Sequence, residues 1–267
     1  MGRQALLTVA HQFQLTLEDF KPLDQQTHQL YRAGHLVIKL IDKTEADIYR
    51  KLGDSIELPV VYLDNDVMVM KDLGESLAGR HLTEEQTKRI IQKLICIQRA
   101  PVEVPVYPLD EIERTWLRDL CDELNIDLMI TIDRYYDEMQ VKHYQLKLPL
   151  VLTHGDLHRG NIFDRSHIQL IDWERAALSS PVRDITMLLQ DFATIEEINY
   201  YRDAFHQMMP YEMNQTDYTT EFSLFLLVNT VKMLVWELSK YQQGMQNQDE
   251  TKREVNRKMD ILKLLET

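Results

Sequence analysis

The spacing of apolar residues changes near residue 74, and the change divides the chain into two differently built sections. Before it, the apolar runs are short and strand-like: Leu30 to Arg32, Leu36 to Ile41 and Val67 to Met70, with Ala33-Gly34 as a hairpin turn between the first two. One helix interrupts these strands, capped at Thr44, with Ile48 and Leu52 on its apolar side and Gly53 as its stop. After Gly74 a helical period takes over. Thr83 followed three residues later by Gln86 is a capping-box signal, and Ile90, Ile91, Leu94 and Ile95 form the stripe of the helix it opens. Prolines at 101, 105 and 108 mark an irregular connection, beyond which Ile112 to Leu124 and residues 126–145 predict further helices. Leu150 to Thr153, Ile162-Phe163 and Ile168 to Ile171 read as short strands around a polar segment, with Asp164-Arg165-Ser166 as a turn; from Arg183 the chain is helix-rich.

This order excludes an all-helical fold, and the helical second section excludes a long parallel βαβ succession. An α+β chain of two unequal lobes remains: residues 1–72 as a small sheet with one helix, and residues 73–267 as a larger, mostly helical lobe, with a hinge at 71–74. No repeat or Gly/Ser-rich linker separates further folding units.

Composition narrows the partners. Thirty basic against forty-three acidic residues give a net charge of −13, which opposes nucleic acid and suits a cationic substrate, although an acidic surface that only aids solubility is the favoured reading. Cys96 and Cys121 stand apart, with no ligand spacing for zinc and no disulfide framework, as expected of a reducing, cytoplasmic compartment. No signal core is expected at the N-terminus, and Met1-Gly2 lacks the Ser or Thr at position 6 that myristoylation needs. The most apolar stretch, Phe222 to Trp236, is broken by Ser223, Asn229, Thr230 and Lys232; it reads as a buried helix, and no membrane partner is expected.

The chemistry concentrates in His154-Gly155-Asp156-Leu157-His158-Arg159-Gly160-Asn161, followed eleven residues after Asn161 by Asp172-Trp173. Phosphoryl transfer needs a carboxylate to orient and deprotonate the attacking hydroxyl, and an amide oxygen and a second carboxylate to hold Mg²⁺. Asp156, Asn161 and Asp172 fit those roles in that order. A two-strand ladder would bring Asn161 and Asp172 together. Further forward, Lys39 interrupts the apolar run Leu36 to Ile41 and needs a charged partner if buried; Glu45 is the candidate, with Asp42 and Asp47 as alternatives.

With Ile171-Asp172-Trp173-Glu174 and Ser180-Pro181-Val182-Arg183-Asp184 after it, the motif resembles the aminoglycoside phosphotransferase and choline kinase family, small-molecule kinases with the protein-kinase-like fold. The resemblance covers roughly residues 23 to 190. It implies an antiparallel-sheet, nucleotide-binding N-terminal lobe and a helical C-terminal lobe with the catalytic loop and substrate site. By it, Asp156 is the catalytic base, Asn161 and Asp172 hold Mg²⁺, and Lys39, braced by Glu45, binds the α- and β-phosphates of ATP or GTP. The segment Val67 to Gly74 resembles the adenine hinge, with Met70 as gatekeeper and the Lys71 carbonyl and Leu73 amide facing the base. His158 stands where protein kinases carry a lysine, and either contacts the transferring group or orders the loop. His154 is expected to be structural, and Asp184 to hold the loop through backbone N–H groups.

Two departures qualify the resemblance. Where a glycine-rich loop should cover the phosphates, the chain has Leu23-Asp24-Gln25-Gln26-Thr27-His28; Gln26, Thr27 and His28 offer side-chain donors, whereas Asp24 repels phosphate. The protein-kinase DFG and APE sequences do not occur, which argues against peptide substrates. Glu174, Asp191 and Glu237, with Trp236, are candidates for a cation-binding wall, though the favoured reading is a solvated or salt-bridged charge at each acidic position and a core aromatic at Trp236. The implied activity is transfer of a γ-phosphate to a hydroxyl of an aminoglycoside-, choline- or sugar-like small molecule. The alternatives are a catalytically silent binding module and, behind it, a protein kinase.

Overall fold

The structure, a computed structural model, describes residues 2–23, 29–107, 114–128, 133, 146–191, 194–209, 213–263 and 265. They form an α+β fold of two compact units, residues 1–104 with 159–176 and residues 105–158 with 177–267. The units part at places other than residue 72, and the motif itself is divided between them after His158.

The first unit is built on a five-stranded antiparallel sheet in the order β1-β2-β3-β5-β4, from β1 (Lys21–Pro22), β2 (Leu30–Ala33), β3 (Leu36–Leu40), β4 (Val60–Leu63) and β5 (Val67–Lys71). Gly34, at φ +60°, makes the β2–β3 turn in the left-handed region that glycine enters without a Cβ penalty. The register sets Lys39 opposite Leu30 on one side and Met68 on the other, so this lysine lies on a central strand.

Two helices accompany the sheet where one was expected. The added one, α1 (Gly2–Phe13), buries Ala5, Val9 and Ala10 against Phe20, Leu36, Ile38, Val67 and Val69. Its buried positions have helical spacing, but two of the three are alanines, so its sequence carries a weak apolar signal. The expected helix is α2 (Lys43–Gly53), whose cap is Asp42 and not Thr44: the Asp42 carboxylate accepts the Glu45 N–H at 2.9 Å. Its buried face runs through Glu45, Ala46, Tyr49 and Leu52, leaving Ile48 half-buried.

The unit is completed by α3 (Glu84–Gln98) and the hairpin β7 (Ile162–Asp164) with β8 (Ile168–Leu170). Between α3 and the hairpin the chain runs through α4 (Arg114–Leu124) and β6 (Val151–Thr153) of the second unit. The capping box read at Thr83 and Gln86 is formed, and Gln86 also donates to Asp164 at 3.0 Å, tying α3 to the hairpin. Arg89 meets the same carboxylate at 2.7 Å.

In the second unit, β6 pairs antiparallel with β9 (Ala177–Ser179), followed by α5 (Arg183–Leu188), α6 (Ile195–Met208), α7 (Gln215–Gln242) and α8 (Gln248–Lys263). The apolar core joins Leu117, Leu120 and Leu124 of α4 to Leu224, Val231 and Leu234 of α7 and to Val255 and Leu262 of α8. By length and composition α7 could cross a membrane, but 61% of its most apolar window is buried within the fold, as expected of a core helix. The helix expected over 126–145 falls mostly outside the described residues.

Candidate active site

In the first unit, Lys39 is the centre of an ion-pair cluster. Its Nζ donates to Glu45 Oε1 and to Asp172 Oδ1, both at 2.7 Å, and lies 3.7 Å from a Glu174 oxygen. Glu45 was the expected partner; Asp42 instead caps α2, and Asp47 pairs with Arg50 at 2.7 Å. Burial opposes the charge on Lys39, yet Asp172 and Glu45 outweigh it and hold the ammonium above the ordinary lysine range. Burial also pushes the Glu45 carboxyl up, against the pull of Lys39.

The lysine opens onto a cavity of about 280 Å³ whose walls divide by chemistry. Leu23, Leu30, Val37, Met70, Phe163 and Ile171 form an apolar slot, and Lys39, Asn161 and Asp172 stand among the polar lining. An apolar slot with a few converging polar groups is the usual build of a small-ligand site. Six predicted site residues line this one cavity: Lys39, Met70, Lys71, Leu73, Asn161 and Asp172. Glu45 joins them through Lys39, whereas Thr27 lies outside the described residues.

Asp72 donates its N–H to the His35 carbonyl at 2.8 Å, and Lys71 donates to Pro59 on the opposite side at 2.9 Å. The N–H and C=O of one strand residue point to the same side, so the Lys71 carbonyl turns to the edge away from β3. Beyond it, Arg165 Nε donates to the Leu73 carbonyl at 2.6 Å, and Gly74, at φ +76°, donates its N–H to Asp72 Oδ1 at 2.8 Å.

The hairpin does bring Asn161 and Asp172 to one place. Ile162 pairs with Leu170, and the Ile171 N–H donates to the Asn161 carbonyl at 3.2 Å, so the two residues flank the open end of the ladder. Asn161 is buried. Asp172 has a left-handed backbone, φ +67°, which is uncommon for a residue with a Cβ. Tyr49 of α2, absent from the sequence-based site, accepts the Asp172 N–H at 3.0 Å and the Trp173 N–H at 3.2 Å. Its signal in the sequence was its place four residues after Glu45, on the same helical face.

In the second unit, the chain leaving β6 is held by α5. Asp184 accepts the His154 N–H at 2.7 Å and the Gly155 N–H at 2.9 Å, the backbone hold expected of it. His154 is fully buried, and its Nδ1 accepts the Asp156 N–H at 3.3 Å, a structural use of the imidazole. Leu157 is buried between Asp156 and His158, whose side chains keep 30% and 43% exposure, so the loop is anchored at its middle and leaves both polar groups accessible. Asp156 Oδ2 lies 4.0 Å from His158 Nε2, too far for a hydrogen bond.

The acidic wall is largely accounted for by local pairing. Glu237 is buried and ion-paired with Lys240, and Glu174 lies in the Lys39 cluster. Trp236 is 48% exposed and so is not a core aromatic. The Asp191 side chain lies outside the described residues.

Residues 4–209 match the model of the phosphotransferase enzyme family. The chain is similar in structure to a choline/ethanolamine kinase family protein from Mesorhizobium loti, at TM-score 0.68 and 16% identity, covering 100% of this chain and 95% of that one. It is similar also to choline kinase LicA from Streptococcus pneumoniae, at TM-score 0.63 and 15% identity over 99% of each chain. A spectinomycin phosphotransferase solved with ADP and spectinomycin matches at TM-score 0.63 and 15% identity, over 88% of this chain and 87% of that one. No curated protein matches the chain by sequence. At these identities the structural likeness speaks for the fold, which is that of the kinase-like phosphotransferases, while the family match spans most of the chain: the protein belongs to the phosphotransferase enzyme family.

Proposed function

We propose that the chain transfers the γ-phosphate of ATP or GTP to a hydroxyl of a small molecule of aminoglycoside, choline or sugar type, in the cytoplasm where nucleotide and Mg²⁺ are supplied. The observation that carries this reading is Lys39 held between Glu45 and Asp172 at the polar end of an apolar cavity that Asn161 also lines. A base fits between Val37, Met70 and Phe163, read by the Lys71 carbonyl and the Leu73 N–H. An ammonium has three N–H donors, and Glu45 and Asp172 take two of those of Lys39, which leaves one for a phosphate oxygen. In this reading residues 1–72 are the nucleotide-binding lobe, and residues 73–267 carry the catalytic loop and the substrate site.

The donor set fits a hard cation. Asn161 and Asp172 offer an amide oxygen and a carboxylate in the same cavity, the ligand chemistry Mg²⁺ takes alongside water and phosphate. Once bound, the ion would neutralise charge on the phosphate oxygens. Asp156 has the partly exposed carboxylate required of a base that orients the substrate hydroxyl and accepts its proton. His158, more exposed than Asp156 and 4.0 Å from its carboxylate, is assigned to the transferring group. A cationic acceptor suits the net charge of −13.

The test is phosphate transfer from Mg·ATP and Mg·GTP to a panel of amino alcohols, aminoglycosides, macrolides and sugars. Transfer to at least one acceptor is expected, and Asp156→Asn should lower kcat by about 10²-fold or more. A variant that turns over at the wild-type rate removes Asp156 as the base. If neither nucleotide shifts the melting temperature of the wild-type protein, the silent binding module takes the place of the kinase, since a ligand that binds only the folded state must stabilise it.

A further inference from the structure

The left-handed Asp172 sits two residues beyond the end of β8, and the side chain of Tyr49 grips the backbone there. Tyr49 is 2% exposed, and its Oη accepts two successive backbone N–H groups, those of Asp172 and Trp173. A phenolic oxygen has two lone pairs, so these donors fill its acceptor capacity. Two consecutive amides can converge on one atom only if the backbone turns sharply between them, and the positive φ of Asp172 supplies that turn. A residue in this region persists where its surroundings over-determine it.

The same helix face carries Glu45 four residues earlier, and Glu45 holds Lys39 at 2.7 Å. One turn of α2 therefore acts on Asp172 twice: through Lys39 on the carboxylate and through Tyr49 on the backbone. Burial keeps the phenol in its neutral, hydroxyl form. We infer that Tyr49 is a positioning residue for divalent-cation binding, fixing the backbone of Asp172 so that its carboxylate is presented to the cation that accompanies the nucleotide. This rests on the nucleotide-binding reading of the cavity above. Residues that orient a metal ligand without touching the metal commonly change its affinity by 10- to 100-fold when replaced.

Tyr49→Phe keeps the ring and removes only the hydroxyl, so it separates packing from positioning. Binding of ATP, and in parallel of GTP, is measured by calorimetry on the full chain, once with EDTA and once across a Mg²⁺ titration. The expected result is a concentration of Mg²⁺ for half-maximal enhancement raised about tenfold, with the metal-free nucleotide affinity within about twofold of wild type. A variant whose Mg²⁺ response matches wild type overturns the proposal and leaves the functional reading standing. An equal loss with and without Mg²⁺ also overturns it, because a merely structural residue would produce that. Wild-type protein that binds neither nucleotide under either condition overturns the functional reading and this proposal together. Amide hydrogen exchange on the wild-type protein needs no variant: the Asp172 and Trp173 amides should exchange as slowly as those of β8, and fast exchange at both overturns the proposed hold.

Discussion

Removing Lys39 would leave Glu45 buried with Asp172 and Glu174 nearby, three carboxylates whose ligand oxygens lie within 4.8 Å of one another. Losing one partner of a buried ion pair costs about 3–5 kcal/mol, and the partial exposure of Lys39 and Asp172 lowers that here, so Lys39→Met should destabilise the fold by about 2 kcal/mol near neutral pH. The deficit should also depend on pH. Burial raises the Glu45 carboxyl, and a group with a raised folded pKa favours the fold while protonated and disfavours it as pH rises through that pKa. Without Lys39 that penalty grows. The gap between variant and wild type should therefore be widest near neutral pH and shrink toward pH 4, where both carry a neutral Glu45; urea midpoints across that range would show it, and a constant gap would sink the idea. Lys39 and Glu45 were legible as a pair because a lone lysine in an apolar strand demands an acid. Tyr49 was not, because a buried tyrosine on a helix face reads as core until its oxygen is seen to meet two amides.

Elements were legible to the extent that their signals are local. The capping box at Thr83 and Gln86 uses groups three residues apart and is formed as read. The cap of α2 was displaced by two residues because Asp42 and Thr44 both offer an oxygen before the helix, and only the backbone decides which one faces the first turn. The helix α1 was missed because its fully buried positions are mostly alanines while Leu7 faces solvent, which blurs the apolar stripe, and the left-handed turn at Asp172 is set by contacts with α2, far off in sequence. Gly74 is a sharper case, since its requirement comes from two directions. Its φ of +76° disfavours any Cβ, and a Cβ there would meet Arg165 Nη2 at 2.2 Å. The arginine end can swing aside, but in doing so it abandons the Leu73 carbonyl that its Nε holds. Gly74→Ala should cost about 1–2 kcal/mol from backbone strain and lower nucleotide affinity several-fold, with Arg165→Ala reproducing the second effect and little of the first. Calorimetric binding and chemical denaturation of both variants would check this; if Arg165→Ala binds nucleotide like wild type, the guanidinium does not set the hinge.

At the scale of the molecule, the motif at 154–161 belongs to both compact units, with Asp156 and His158 in one and Asn161 in the other. A linear sequence shows the motif as one object; its division emerges only from the packing on either side, such as Asp184 on His154 and α3 on the β7–β8 hairpin. Both units also hide protons from alkaline water. Burial, with Asp122 nearby, pushes the Cys121 thiol up to about 11, and burial raises the Tyr49 and Tyr218 phenols above the usual tyrosine range. The Lys39 ammonium is raised as well, by its carboxylates against its burial. In the unfolded chain these groups lose protons near about 8.5 for cysteine and 10 for tyrosine and lysine. Above about pH 8.5 the folded state therefore binds more protons than the unfolded state, and stability falls with rising pH. The sign is the same in every case: a raised folded pKa gives stability present below the unfolded value and lost as pH climbs through the folded one. Urea midpoints at pH 8, 9, 10 and 11 should decline continuously, beginning with the cysteine. Cys121→Ala should flatten the first part of that decline, between about pH 8.5 and 10, and leave the steeper tyrosine and lysine part above it. Midpoints that stay level to pH 10 in the wild-type chain, or an equal early slope in the variant, would show that the thiol ionises alike in both states, and that the α4 face around Cys121 is open to water.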